Sequence, residues 1–340
     1  MRKRPMLLLS LLLIMTALLA GCTSALPPRP GSNPTETRLA EVHFIDVGQG
    51  DSILIKTGSK AVLIDAGDQD KGDEVVQYLQ EQGVAALDLV ISTHPHSDHI
   101  GGLPLVLRTL PVARIIDSAV PHTSQIYLDY LTLIEQQDIA FEQPDKQSID
   151  LGGEVRLEIL GPVKQYRDLN NSSVVARLVA GKTSVLFTGD MEQAAETDLL
   201  ARWDLQATIL KVGHHGSDTS TGSEFLREVA PELAVISVGA KNSYGHPEEA
   251  TLSKLSAVEV VRTDQAGTIV LAIDSDGYSR LPASSAGLRG FTVYVTASGG
   301  KYHLDGCRYL NDSKSPLRLE DALRAGYTPC GVCKPPTIGR

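Results

Sequence analysis

The segment Thr93-His94-Pro95-His96-Ser97-Asp98-His99 places three imidazoles and a carboxylate within the six residues His94 to His99. It follows directly on Leu87–Ser92, an apolar, β-branched run that reads as a strand. Imidazole and carboxylate donors together suit Zn²⁺, Mn²⁺ or Fe. The alternating His94 and His96 can face one ion while Asp98 and His99 face a second. Pro95 stiffens the loop, and Gly101-Gly102 lets a helix begin close behind it. The C-terminal ends of strands are where α/β folds build their sites, so the segment argues for such a fold.

Three further sets repeat that placement. Asp190 ends Ser184-Val185-Leu186-Phe187-Thr188-Gly189-Asp190. His214 and His215 end Ile209-Leu210-Lys211-Val212-Gly213. His246 lies in Tyr244-Gly245-His246-Pro247, after the strand-like Leu233–Val238. Alone, each has an ordinary structural explanation, since Asp in a turn and a lone buried His are both common. Four such sets beyond strand ends are better explained by one shared metal centre. His43 and His122 have no such company and read as structural.

The pattern around these sets alternates short strands with amphipathic helices. Val42–Val47, Ser52–Lys56 and Ala61–Ile64 read as strands, and Glu74–Leu79 as a helix. Ser124–Glu135 reads as helix, and Val155–Leu160, Val174–Val179 and Ser184–Thr188 as strands. Met191–Trp203 and Glu224–Val229 read as helices, and Thr208–Val212, Leu233–Val238, Val258–Val261 and Thr268–Ile273 as strands. The expectation is an α/β fold, a sheet sandwich flanked by helices.

The N-terminus is an address. Met1–Arg4 is basic, and Met6–Ala20 is apolar apart from Ser10 and Thr16. That run is shorter than the about 20 residues a spanning helix needs and fits a signal-peptide core. Leu19-Ala20-Gly21-Cys22 resembles the bacterial lipoprotein cleavage box, which implies a signal peptide over 1–21, lipidation of Cys22, and a chain held at the extracytoplasmic face of the cell membrane. Pro27, Pro28, Pro30 and Pro34 mark residues 22–40 as a linker. Net charge is −10, and −13 once Arg2, Lys3 and Arg4 leave with the leader. A global basic field for gripping nucleic acid is excluded, whereas a local basic groove is not.

His94-x-His96-x-Asp98-His99 with Gly101-Gly102, upstream Leu63-Ile64-Asp65-Ala66-Gly67 and downstream Thr188-Gly189-Asp190 resembles the metallo-β-lactamase superfamily. The closer resemblance is to the extracellular nuclease-like domain of the ComEC family of DNA-internalisation proteins. It is carried by Val42-His43-Phe44-Ile45-Asp46-Val47-Gly48-Gln49-Gly50-Asp51-Ser52, Asn170-Asn171-Ser172-Ser173, Lys211-Val212-Gly213-His214-His215-Gly216-Ser217 and Asn242-Ser243-Tyr244-Gly245-His246-Pro247. It covers about Glu41–Tyr278. The resemblance implies a four-layer αββα sandwich, a hydrolase domain over 41–280, and one or two divalent metals, Zn or Mn. His94, His96, Asp98 and His99 would be ligands and Asp190 a bridging carboxylate. The late ligand would be His214, His215 or His246, and Asp65 would orient the loop. Many superfamily hydrolases carry one more His before the bridging Asp; here Asn171-Ser172 occupies that stretch. The ComEC proteins fuse this domain to transmembrane helices, so only the hydrolase activity carries over.

Beyond the Pro/Ala/Ser/Gly linker at 281–290 lies a small domain over 291–340. His303, Cys307, Cys330 and Cys333 are spaced His-x3-Cys-x22-Cys-x2-Cys, the arrangement of a closed structural zinc site. A disulfide would suit an extracytoplasmic location, but three thiols would leave one unpaired. This tail resembles the Ada-type metal-binding domain. His303 stands where that domain has its methyl-accepting Cys, so a structural or DNA-contacting module is implied and alkyl transfer is not. Lys301, Arg308, Lys314, Arg318, Arg324 and Lys334 give the tail local basic character.

These readings lead to a membrane-tethered metal-dependent hydrolase with DNA phosphodiesters as its substrate. Lys211, Asn171, Ser172 and Ser217 are the expected phosphate contacts. Two alternatives use the same centre: a hydrolase of small esters, thioesters or lactones, and a non-catalytic DNA-receiving lipoprotein. The sequence points to no protein partner.

Overall fold

The computed structural model describes residues 38–281, 292–296, 299–310, 314–333 and 335. The expected signal peptide, Cys22, most of the first linker and nearly all of the second lie outside the described residues. β1 (Arg38–Phe44) begins before residue 40, with Arg38 opposite Asp274, so the end of the first expected linker is strand. Among the described residues no helix is long and apolar enough to cross a membrane.

In chain order, β1 is followed by β2 (Ile53–Thr57), β3 (Ala61–Ile64), α1 (Gly72–Glu81), β4 (Leu89–Ser92), α2 (Ser97–Ile100), α3 (Leu103–Thr109), β5 (Arg114–Asp117), α4 (Gln125–Gln136) and β6 (Ala140–Glu142). Next come β7 (Gln147–Gly152), β8 (Val155–Gly161), β9 (Val175–Ala180), β10 (Thr183–Phe187), α5 (Gln193–Leu200), β11 (Ile209–Lys211), α6 (Ser223–Val229) and β12 (Leu233–Ile236). α7 (Glu249–Lys254), β13 (Glu259–Arg262), α8 (Thr263–Ala266), β14 (Ile269–Asp274) and β15 (Tyr278–Leu281) complete this part. Leu281 therefore closes a strand rather than opening the second linker.

Two sheets form, in the orders β15-β14-β1-β2-β3-β4-β5-β6 and β13-β12-β11-β10-β9-β8-β7. Side-chain alternation along each strand assigns the layers. Val42, Phe44, Ile53 and Ile55 of the first sheet and Leu157, Leu178, Val185 and Phe187 of the second share one buried core. Phe44 and Phe187 meet across it with ring centroids 6.3 Å apart. Leu54, Leu63 and Val90 point the opposite way, onto Val75, Leu79, Val106 and Tyr130 of α1, α3 and α4. Leu186 and Leu210 pack on Ala195, Leu199 and Phe225 of α5 and α6. The result is helix, sheet, sheet, helix.

Within each sheet one run is parallel: β3 to β6 in the first, β10 to β13 in the second. Parallel strands need helical crossovers, and they send their C-terminal ends to one edge. The loops after β3, β4, β10, β11 and β12 carry the site described below.

A third sheet, in the order β18-β16-β17-β19, is built from β16 (Thr292–Thr296), β17 (Lys301–His303), β18 (Lys314–Arg318) and β19 (Thr328–Pro329). Val293, Val295 and Tyr302 pack against Leu319 and Ala322 of the helix Leu319–Arg324.

Candidate metal centre

Asp65 leaves β3 in a left-handed conformation, φ 54°. This turns its carboxylate under the loop that follows β4. One oxygen accepts the Thr93 amide at 2.8 Å; the other accepts the Thr93 hydroxyl at 2.6 Å and lies 2.8 Å from His99 Nδ1. With Nδ1 engaged there, His99 turns Nε2 toward Asp190 Oδ2, 3.2 Å away. His215 follows the same plan: Nδ1 lies 3.0 Å from the Ser237 carbonyl, and Nε2 lies 3.4 Å from both Asp190 Oδ2 and Asp98 Oδ2. His94 Nδ1 lies 3.1 Å from the Thr93 hydroxyl, and its Nε2 is 2.9 Å from His96 Nδ1 and 3.9 Å from Asp190 Oδ2. Backbone or side-chain partners behind each of these three rings fix which nitrogen faces inward.

Asp190 reaches the centre from the other sheet. β4 and β10 do not share a sheet edge; they end together at one edge of the sandwich, and the loops beyond them are joined through Ser173. Its hydroxyl accepts the Asp190 amide at 3.1 Å and lies 3.4 Å from His94 Nδ1. Gly189 turns with φ +51°, and a Cβ there would come within 3.0 Å of the Ser173 side chain. His214 and His215 are consecutive non-glycine residues in the left-handed region, at φ 48° and 54°. Such a pair is costly and persists only where the surroundings impose it. It brings both rings to the Asp190 side.

The electrostatics match this crowding. Burial works against charge on His99, yet the carboxylates of Asp190, Asp98 and Asp65 hold it well above its ordinary value. His215 is pushed up to about 10 by Asp190, Asp98 and Asp51, again against desolvation. Burial pushes Asp190 up, but His215 and His99 hold it well below the usual carboxylate range. His94, buried and beside His99, falls well below the usual imidazole value. His99 Nε2, His215 Nε2 and Asp190 Oδ1 are buried with no hydrogen-bond partner. Such orphaned donor atoms, turned inward on a shared centre, are what a cation would satisfy. Ligand atoms of His94, His99 and Asp190 lie within 4.8 Å of one another, as do those of Asp98, His99 and His215. The donor set therefore fits divalent metal.

The other expected site residues fare differently. His246 stands one ring further out, its centroid 5.6 Å from His214, and its Nε2 lies 3.9 Å from Glu248. Of the three candidates for the late ligand, His214 and His215 approach Asp190, at 3.8 and 3.4 Å. Lys211 is not a phosphate contact. It is 1% exposed, its ammonium pairs with Asp51 at 2.8 Å, and it donates to the Val212 carbonyl. Asn171 and Ser172 are also turned inward. Asn171 donates to Asp168 and accepts the Ala195 amide, and the Ser172 hydroxyl donates to the Asp168 carbonyl. The Ser217 hydroxyl is buried against Thr219. None of these four lines the cleft over the centre, a 260 Å³ opening bordered by Gln49, His96, Asp98, His214, Tyr244 and His246 among others. His43 lies elsewhere, between Tyr78 and Glu41, and His122 contacts Ser124 at the start of α4.

Asp51 entered the sequence reading only within the Val42–Ser52 block, with no role assigned to it. It lies 3.6 Å from His215 Nδ1, and its amide donates to the Asp98 carbonyl, which ties two ligand-bearing loops together. Gly50 makes the approach feasible, because a Cβ there would sit 2.2 Å from that carbonyl. A usable clue was Lys211 itself: a lysine in an otherwise apolar central strand demands a buried counter-charge.

In the third sheet, β17 and β19 pair in parallel with Tyr302 opposite Pro329, which sets His303 beside Cys330. His303, Cys307, Cys330 and Cys333 bring their donor atoms within 4.8 Å, and the three thiols form no disulfide. The amides of Cys333 and Val332 face the Cys330 sulfur and lower its pKa to about 7, as N–H groups around a thiolate do.

Residues 45–240 match the family model of the metallo-beta-lactamase superfamily, and the chain belongs to that superfamily. It is 32% identical over 255 residues to ComE operon protein 3 of Bacillus subtilis, 67% of this chain and 32% of that protein. It is likewise 32% identical to competence protein ComA of Neisseria gonorrhoeae, over 76% of this chain and 35% of that one. Recombination protein 2 of Haemophilus influenzae matches at 32%, over 64% of this chain and 27% of its own length. The chain thus spans about a third of the length of these relatives.

Proposed function

We propose that the chain is a metal-dependent hydrolase of DNA phosphodiester bonds, tethered at the extracytoplasmic face of a membrane through lipidated Cys22. The observation that carries this reading is the pair of donor groups, one on each side of the Asp190 carboxylate, beneath an open cleft. One group is His94, His99 and Asp190; the other is Asp98, His99 and His215, whose Nε2 lies 3.4 Å from Asp190 Oδ2. A divalent ion held there, Zn²⁺ or Mn²⁺, supplies Lewis acidity toward the scissile phosphate and acidifies water at neutral pH. The protein's part is orientation. Asp65 and the Ser237 carbonyl fix the ring faces of His99 and His215, and Ser173 fixes Asp190 against His94. Asp51, neutralised by Lys211, holds the Asp98 and His215 loops in register.

The openness and polarity of the cleft favour a polar polymer over a small apolar ester, which would call for a closed apolar pocket. The resemblance to the ComEC family of DNA-internalisation proteins supports DNA as the polymer, and competence protein ComA is among the relatives. The His303, Cys307, Cys330 and Cys333 cluster is read as a structural zinc site. The test is the purified chain with Mn²⁺ or Zn²⁺ against DNA and a panel of esters, thioesters and lactones. Cleavage of DNA supports the reading, cleavage of esters alone replaces it with the small-molecule hydrolase, and DNA binding without any turnover replaces it with a non-catalytic receiver.

A further inference from the structure

Among the described residues, Tyr244 is the most exposed large hydrophobic, at 67%. It borders the same cleft as His96, Asp98 and His214. Its loop is not slack. The Asn242 carboxamide donates to the Gly239 carbonyl at 2.8 Å and to the His246 carbonyl at 2.7 Å, and its oxygen accepts the amides of Tyr244 and His246. Four hydrogen bonds from one side chain close the turn, and Gly245 takes the left-handed position, φ +82°. The phenol ring is therefore held outward rather than left to fold down. Behind it lies the His246 imidazole, nearly parallel at 25° with centroids 5.8 Å apart. One face of the tyrosine is backed, and the other is open beside the metal donors.

No lysine or arginine borders this cleft among the described residues. Besides the metal donors and the polar Gln49 and Ser97, the contact the protein offers a bound polyanion there is an aromatic face. We propose that Tyr244, backed by His246, is a stacking platform for an unpaired nucleobase, and that the nucleic acid taken by the cleft is single-stranded. This rests on the reading of the centre as a phosphodiesterase. Bases within a duplex have both faces covered by their neighbours, whereas an unpaired base has a face to offer. Tyrosine suits the task because it presents a large flat surface at low conformational cost.

The experiment uses the full chain loaded with Mn²⁺ and three probes of equal length: a single-stranded oligonucleotide, the same strand with abasic positions, and a duplex. Binding is followed by fluorescence anisotropy in an Asp190→Asn background, and KM and kcat are measured in the parent chain. The expected result is that the base-bearing single strand binds more tightly than either other probe. Tyr244→Ala should remove that preference, weakening binding about 5- to 150-fold, the range that corresponds to loss of one base stack. It should raise KM with kcat little changed, and Tyr244→Phe and Tyr244→Trp should restore it. Equal binding of the base-bearing and abasic strands, or a preference that survives Tyr244→Ala, overturns the stacking platform while leaving the phosphodiesterase in place. Failure of the parent chain to cut or bind any of the three probes overturns the phosphodiesterase reading, and the platform with it.

Discussion

The chain carries two donor clusters built on opposite principles. The His/Asp centre collects donors from the loops of two sheets, uses no thiol, shares one carboxylate and faces a cleft. The His/Cys cluster collects three thiols and one imidazole from a small sheet, with Cys307, Cys330 and His303 all buried. An open centre with shared oxygen ligands leaves room for substrate, whereas four soft donors around one point leave none. Donor type and openness thus separate a centre suited to chemistry from one suited to holding a fold.

The largest effect expected from this contrast is the complete loss of hydrolysis on dialysis against a chelator, with recovery on adding Mn²⁺ or Zn²⁺. Elemental analysis of the loaded chain should find at least two ions, one or more for each cluster. A fully folded chain holding less than one ion would break the comparison outright. Next comes Lys211→Met, which leaves Asp51 buried without its counter-charge; denaturant titration should show a loss of about 3–5 kcal/mol. The double variant Asp51→Asn/Lys211→Met should recover part of it, since no lone charge remains.

Asp190→Asn keeps shape and removes charge, so folding should survive while turnover falls by about 10² or more, some 2.7 kcal/mol in barrier height. Wild-type hydrolysis by this variant on every accepted substrate would remove Asp190 from the chemistry and place the reacting centre elsewhere. His303→Ala should release one ion and loosen the small sheet, seen as new protease cuts after residue 290, with hydrolysis unchanged. Equal loss of turnover in His303→Ala and His96→Ala would show the clusters to be coupled and erase the distinction. Smallest is Asp68→Asn. Among the described residues its side-chain oxygen receives only the Gln69 amide, at 2.6 Å, and both stability and turnover should shift by less than about 0.5 kcal/mol.

The two clusters were also unequally legible. The zinc-like spacing is local, and so is the His94 to His99 run, because a strand end and its loop lie together in sequence. Asp190 and the His214-His215 pair were legible as donors after apolar strands, but strand patterning alone assigns no strand to a sheet, and β4 and β10 fall in different sheets. Lys211 was misread because its partner lies 160 residues upstream. A polar side chain between apolar neighbours looks the same whether it meets solvent or a buried carboxylate. Asn171, Ser172 and Ser217 were misread for a related reason: turn residues bind their own backbone as readily as phosphate. Among the strands of the two large sheets, β5, β6, β7 and β15 escaped notice. Arg114–Asp117 is short, and β7 alternates polar residues because it is an edge strand.

The donors of the His/Asp centre are divided between the two layers of the sandwich: Asp65, His94 and His99 follow strands of the first sheet, and Asp190, His214 and His215 follow strands of the second. An ion bound there is a clasp across the seam of the fold. Mass action then links folding to metal supply, adding about 2.7 kcal/mol when free metal stands at a hundred times its dissociation constant. Resistance of this domain to unfolding and proteolysis would then rise and fall with the divalent metal that reaches it.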